Sequence, residues 1–141
     1  MIRKRKPAVY YFPGNIIIRL MVGLVFLSEG VQKFLFPAAD GAGRFITLGI
    51  PHPHFFGPLV GAVEITCGVF LVIGLFTRLA SMLLLIVILV AIYTTKFPTF
   101  VHKGFWAAAH DGRADFCMLM GLIFLLIYGA GKYSADSRFG R

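Results

Sequence analysis

Residues 55–76 read FFGPLVGAVEITCGVFLVIGLF, residues 77 and 78 are Thr and Arg, and residues 79–95 read LASMLLLIVILVAIYTT. A helix needs about 20 mostly apolar residues to cross about 30 Å of hydrocarbon. Each stretch meets or nearly meets that length. The first has Glu64 as its single charged residue, the second is almost wholly aliphatic, and only Thr77-Arg78 separates them. Two membrane-crossing helices joined by a tight turn follow from this run.

Working outward gives two more spans. Asn15 to Phe36 is apolar except for Arg19, Glu29, Gln32 and Lys33, and Pro37 ends it. It is too long for the core of a signal peptide and is read as a retained span. The last apolar stretch runs from Arg113 to about Gly131. The chain therefore reads as one all-α polytopic membrane domain, 1–141, a bundle of four transmembrane helices at about 15–36, 55–76, 79–95 and 113–131. The outer connections are 37–54 and 96–112. Phe105, Trp106 and the alanines after them suit a short helix at the membrane interface.

Composition agrees. Of 141 residues 58% are hydrophobic and 14% charged, outside the usual soluble mix. The formal net charge of +8 does not make a nucleic-acid binder, because the basic residues stand at segment ends and form no stripe. Arg3, Lys4, Arg5, Lys6, Arg78, Lys132, Arg138 and Arg141 fall on one side of a four-span topology. Positive charge is retained on the cytoplasmic side, so both termini are expected there, although Arg44, Lys96, Lys103 and Arg113 would lie outside. Arg19 and Arg78 read as anchors that snorkel to that surface, and Tyr10, Tyr11, Tyr128 and Tyr133 as an aromatic belt beside them.

An ionisable residue inside a span costs at least about 2.5 kcal/mol unless it is paired or wetted. Glu29 and Lys33, four apart, share a helix face bordered by Gln32 and can neutralise each other. Glu29 lies roughly 10 Å and Glu64 roughly 14 Å below the outer surface at 1.5 Å per residue. Arg113, Asp115 and Lys96 reach the same outer half. Glu29, Gln32, Lys33, Glu64, Lys96, Arg113 and Asp115 thus form a candidate polar pocket. Two readings stay open: a neutral network that glues the helices together, or a site that takes a quinone or another polar-headed molecule, or relays protons.

Cys67 and Cys117 lie in apolar segments and read as packing residues. His52, His54, His102 and His110 all fall outside the expected spans, which argues against haem held between helices. His52 and His54 form only a weak candidate metal pair in a loop. No nucleophile elbow, phosphate loop or zinc-protease motif is present.

Arg19-Leu20, Gly23-Leu24-Val25-Phe26-Leu27 and Ser28-Glu29-Gly30-Val31-Gln32-Lys33-Phe34 resemble the first span of the DoxX family. Gly49-Ile50-Pro51, Val63-Glu64-Ile65 with Gly68, Thr77-Arg78 within 75–79, and Phe105-Trp106 leading to His110 and Arg113-Ala114-Asp115-Phe116 extend the resemblance over nearly the whole chain. It implies a four-helix protein of a bacterial or archaeal cytoplasmic membrane, in a family named after a subunit associated with an archaeal thiosulfate:quinone oxidoreductase. It implies redox company more than redox chemistry: a non-catalytic accessory or anchor subunit with a protein partner, no intrinsic cofactor and room for a bound quinone. By that likeness Glu29, Lys33, Glu64, Arg113 and Asp115 carry over as pocket residues. A structural subunit without chemistry, and more remotely a small-solute transporter, are the alternatives. Gly57 and Gly61 suit close packing within the bundle or between copies of the chain.

Overall fold

The computed structural model describes residues 14–131 and 133–139, and all regular structure among them is helical. Seven helices follow in order: α1 Asn15–Leu35, α2 Ala42–Thr47, α3 Pro53–Ile73, α4 Thr77–Lys103, α5 Phe105–Asp111, α6 Arg113–Tyr128 and α7 Ala135–Arg138. Of these, α1, α3 and α4 are long and apolar enough to cross a membrane. Helix α6 has 16 residues, about 24 Å at 1.5 Å per residue.

The burial pattern inverts that of a soluble bundle. Helix α1 buries Asn15, Arg19, Val22, Gly23, Phe26 and Gly30, a narrow stripe at spacings of three and four. Ile17, Leu24, Phe34 and Leu35 point outward, as do Leu79, Met82, Ile86, Leu89 and Val90 of α4. Large apolar side chains facing outward while Asn15, Arg19, Glu64, Thr77 and Ser81 are buried is what a hydrocarbon surround selects.

Helix α1 packs against α3 and α4 against α6, and the pairs join through α3 with α4 and α1 with α6. Val22, Phe26, Leu71, Leu84, Leu122 and Leu125 fill the centre. Glycines set the α1–α3 spacing. A Cβ on Gly68 would stand 2.9 Å from the Gly23 carbonyl oxygen, and one on Gly30 would stand 2.8 Å from that of Gly61. Without hydrophobic driving force between helices in lipid, such backbone contact supplies the dispersion that holds the pair.

The bundle has two ends. The terminal end holds Asn15, the α3–α4 turn at Gly74 to Thr77 and residues 129–131 and 133–139. The loop end holds α2, α5 and the α1 C-terminus. Helix α3 stops where Gly74 takes a left-handed conformation and the Leu75 amide donates to the Phe70 carbonyl at 2.9 Å.

Two boundaries differ from the sequence reading. The connection 37–54 contains α2, seated against the start of α3 where Gly57 leaves room for Ala42. Helix α4 does not stop at Thr95 but continues to Lys103 through Pro98. Thr94, Thr95 and Thr99 donate their hydroxyls to carbonyls one turn back, at 2.9, 2.6 and 3.1 Å. Those bonds stay within the helix, so polar residues near its end do not terminate it. Arg3 to Lys6, Tyr10, Tyr11, Lys132 and Arg141, used above for orientation, lie outside the described residues.

Candidate functional site

The loop-end charges do not close into one network. Lys33 Nζ on α1 meets Glu64 Oε2 on α3 at 2.9 Å, with side-chain exposures of 11% and 6%. Lys96 Nζ on α4 meets Asp115 Oδ2 on α6 at 3.5 Å, with exposures of 23% and 27%. Each pair therefore bridges one of the two helix pairings. Glu29, expected opposite Lys33, faces outward and makes no ion pair among the described residues. Gln32 donates to Ser28 Oγ at 3.0 Å on its own helix. Arg113 is exposed and donates to the His110 carbonyl at 2.5 Å.

Helix geometry explains why Lys33 chooses Glu64. Side chains lean toward the N-terminus of their own helix. In the antiparallel α1–α3 pair Lys33 and Glu64 therefore lean toward each other. Gly61 removes what would obstruct them: a Cβ there would lie 3.3 Å from Lys33 Cβ. The glycine contact and the ion pair are one construction.

Beside Lys96 lies an open cleft of about 480 Å³ between α4 and α5, lined by Tyr93, Phe97, Phe100, Phe105 and Ala108 among others. The Tyr93 and Phe97 rings stack at 5.7 Å with 15° between their planes. An otherwise apolar, ring-lined wall thus carries one ammonium, which Asp115 steadies from α6. Such a surface can hold a flat ring by its faces and donate a hydrogen bond to an oxygen on its edge. A second open hollow, about 240 Å³ between α3 and α4, is lined by Ala62, Thr66, Cys67, Phe70 and Leu83 and carries no charged group.

His52 caps α3 and His54 lies in its first turn, while His102 lies in the last turn of α4 and His110 lies in α5. Among the described residues no three His, Cys, Asp or Glu side chains come together as a metal site would need. Cys67 is buried and Cys117 exposed.

The terminal end holds a second polar group that sequence reading missed. Arg19 does not snorkel; it is 2% exposed and donates from Nη2 to the Tyr133 carbonyl at 2.8 Å. Asn15 Nδ2 donates to the Gly129 carbonyl at 3.2 Å. Asp136 accepts from the Phe76 and Thr77 amides at 2.8 and 2.9 Å, capping α4 from a distant segment. The one available signal was register, because Asn15 and Arg19 continue the stripe of Val22, Phe26 and Gly30.

The sequence profile of the DoxX family matches residues 14–97. The uncharacterized membrane protein Rv3486 of Mycobacterium tuberculosis is 49% identical over 135 residues, covering 92% of this chain and 83% of its own. CatD of Bacillus subtilis, described provisionally as an oxidoreductase, is 30% identical over 126 residues, 87% of this chain and 84% of its own. An uncharacterized protein of Haemophilus influenzae is 30% identical over 130 residues, 86% and 87% respectively. No solved structure matches.

Proposed function

The chain belongs to the DoxX family, and on that premise we propose that it is an accessory membrane subunit of a quinone-linked redox system. The quinone ring would sit in the cleft between α4 and α5. The observation that carries this reading is the Lys96–Asp115 pair standing against the stacked Tyr93 and Phe97 rings. A quinone needs flat apolar walls for its ring, a donor for a carbonyl oxygen and a lipid-facing exit for its tail, and this cleft opens onto α4's apolar face. The provisional description of the Bacillus relative as an oxidoreductase points the same way.

In this reading α6 is the fourth span and both termini face the cytoplasm of a bacterial or archaeal cell. Arg78 and Arg138 stand at the terminal end, and the sequence places Arg3 to Lys6, Lys132 and Arg141 on that side as well. A span of about 24 Å is served by local thinning of the bilayer and by flanking polar residues. Lys96 and Asp115 are then the headgroup contacts, with Arg113 close by on the surface.

The competing assignment, a structural subunit without chemistry, rests on Lys33–Glu64. That pair is buried in the α1–α3 seam, so it holds helices together whatever the cleft binds. Purification in mild detergent, with mass spectrometry of retained proteins and extracted small molecules, decides between them. Quinone and a redox enzyme in stoichiometric amount, with quinone lost from Lys96→Met, support the proposal; an empty and solitary protein overturns it.

A further inference from the structure

The segment after α6 is attached in an unusual way. It leaves α6 through Gly129 and Gly131, both at positive φ (73° and 83°), and folds back across the terminal end. There it touches three elements through polar atoms. Asn15 holds the Gly129 carbonyl, Arg19 holds the Tyr133 carbonyl, and Asp136 holds the amides at the start of α4 while its own amide donates to the Gly74 carbonyl at 2.9 Å. Ser134 keeps the segment in shape, accepting from the Ser137 amide at 3.1 Å and donating to the Gly131 carbonyl at 2.8 Å.

Ala130 is the only apolar residue this segment buries, among those described. The core above it is built from side chains of α1, α3, α4 and α6. Among the described residues, Arg19 Nε and Nη1 and Thr77 Oγ1, at the contacts this segment makes, are buried without hydrogen-bond partners, as is Ser81 Oγ one turn further along α4. The closed arrangement therefore bears a cost that water would relieve, and its attachments are of the kind water can replace. A unit with few apolar contacts opens at lower free energy than the core beside it.

We infer that residues 129–131 and 133–139 belong to a releasable strap, hinged at Gly129 and Gly131, that closes the terminal end of the bundle over Arg19, Thr77 and Ser81. Opening delivers Arg19 and the two hydroxyls to water and frees the first amides of α4, while the Leu71, Leu84 and Leu122 layer stays packed. The strap is independent of what the cleft at the opposite end binds.

The test uses the full chain in detergent or liposomes, with single cysteines probed by a water-soluble thiol reagent. Ser81→Cys reports on the strap and Leu84→Cys, deeper in α4, on the core; each is read against the chain without the added cysteine. Asp136→Ala should raise the modification rate at Ser81→Cys at least tenfold and leave Leu84→Cys unchanged. Equal rises at both sites show that the strap is an integral part of the fold, and no rise at either shows that it does not open; each result overturns the inference. Should Asp136→Ala fail to fold, hydrogen exchange on the unaltered chain decides. Amides of 129–131 and 133–139 and those of Phe76 and Thr77 should then exchange together, at least tenfold faster than amides of 84–90, and equal rates overturn it.

Discussion

Lys33 on α1 and Glu64 on α3 meet at 2.9 Å directly beside the place where Gly30 and Gly61 bring the two backbones together. The ion pair can form only because the glycines let the helices approach, and it crosses the seam that they create. Removing one partner leaves a charge in a nearly dry site. Glu64→Gln or Lys33→Met should each destabilise the bundle by about 3 kcal/mol, whereas the double variant Lys33→Met with Glu64→Leu should recover most of it. Denaturant titration in detergent micelles measures this; a double variant no better than the singles would assign the pair a role beyond mutual neutralisation.

The glycines themselves should differ in sensitivity. An alanine Cβ at Gly30 or Gly68 meets backbone, at 2.8 and 2.9 Å, which cannot yield without parting the helices. At Gly61 the first obstacle is the Phe34 ring at 3.0 Å, a side chain that can rotate away. Gly30→Ala and Gly68→Ala should each cost about 2 kcal/mol, and Gly61→Ala less than half of that. Thermal unfolding of the three variants provides the ranking.

How much of this was legible in the sequence depends on how far apart the interacting residues lie. The long apolar runs disclosed the helices, since length and hydropathy are local properties. The polar character of the loop end was legible too, yet Lys33 was matched to Glu29 because spacing along one helix sees only neighbours on that helix. Gly30 and Gly61 were the cue to a partner on α3. Lys96 suggested that the third span ends there at the surface, when the threonine hydroxyls in fact stay bonded within a continuing helix. The burial of Arg19 was signalled only by its register with Val22, Phe26 and Gly30, and its carbonyl partner Tyr133, 114 positions away, is a contact that no periodicity reports.

Arg19 and Arg78, which looked alike in sequence, should therefore behave differently. Arg19 is buried and grips a backbone carbonyl, while Arg78 is exposed and donates to the Ile127 carbonyl at a longer 3.3 Å. Arg19→Ala should cost about 3 kcal/mol through lost packing in the core and the lost hydrogen bond to the Tyr133 carbonyl. Arg78→Ala should stay within about 0.5 kcal/mol. Equal effects in a denaturant titration would return Arg19 to the role of a surface anchor.

Trp106 is the only tryptophan and is 84% exposed on α5, so its fluorescence reports on that helix alone. If α5 lies in the membrane interface, emission in liposomes should be quenched strongly by lipids brominated near the headgroup and weakly by lipids brominated at the chain end. Efficient quenching by aqueous iodide instead would lift α5 clear of the bilayer.

The Lys96–Asp115 pair should separate stability from binding. Both side chains are about one-quarter exposed and 3.5 Å apart, so their attraction is screened and worth no more than about 1 kcal/mol. Lys96→Met keeps the methylene packing against the Phe97 side of the cleft while removing the one ammonium in its wall. The variant should melt within a few degrees of the parent and, on the proposed reading, retain less than one-tenth of the quinone that the parent would hold. Asp115→Asn, which leaves the ammonium in place but no longer steadies it, should fall between the two. If both variants retain quinone fully, the donor lies elsewhere and the cleft is only a gap between helices. If both lose quinone and stability together, the pair holds α4 to α6 and the loss of ligand is secondary.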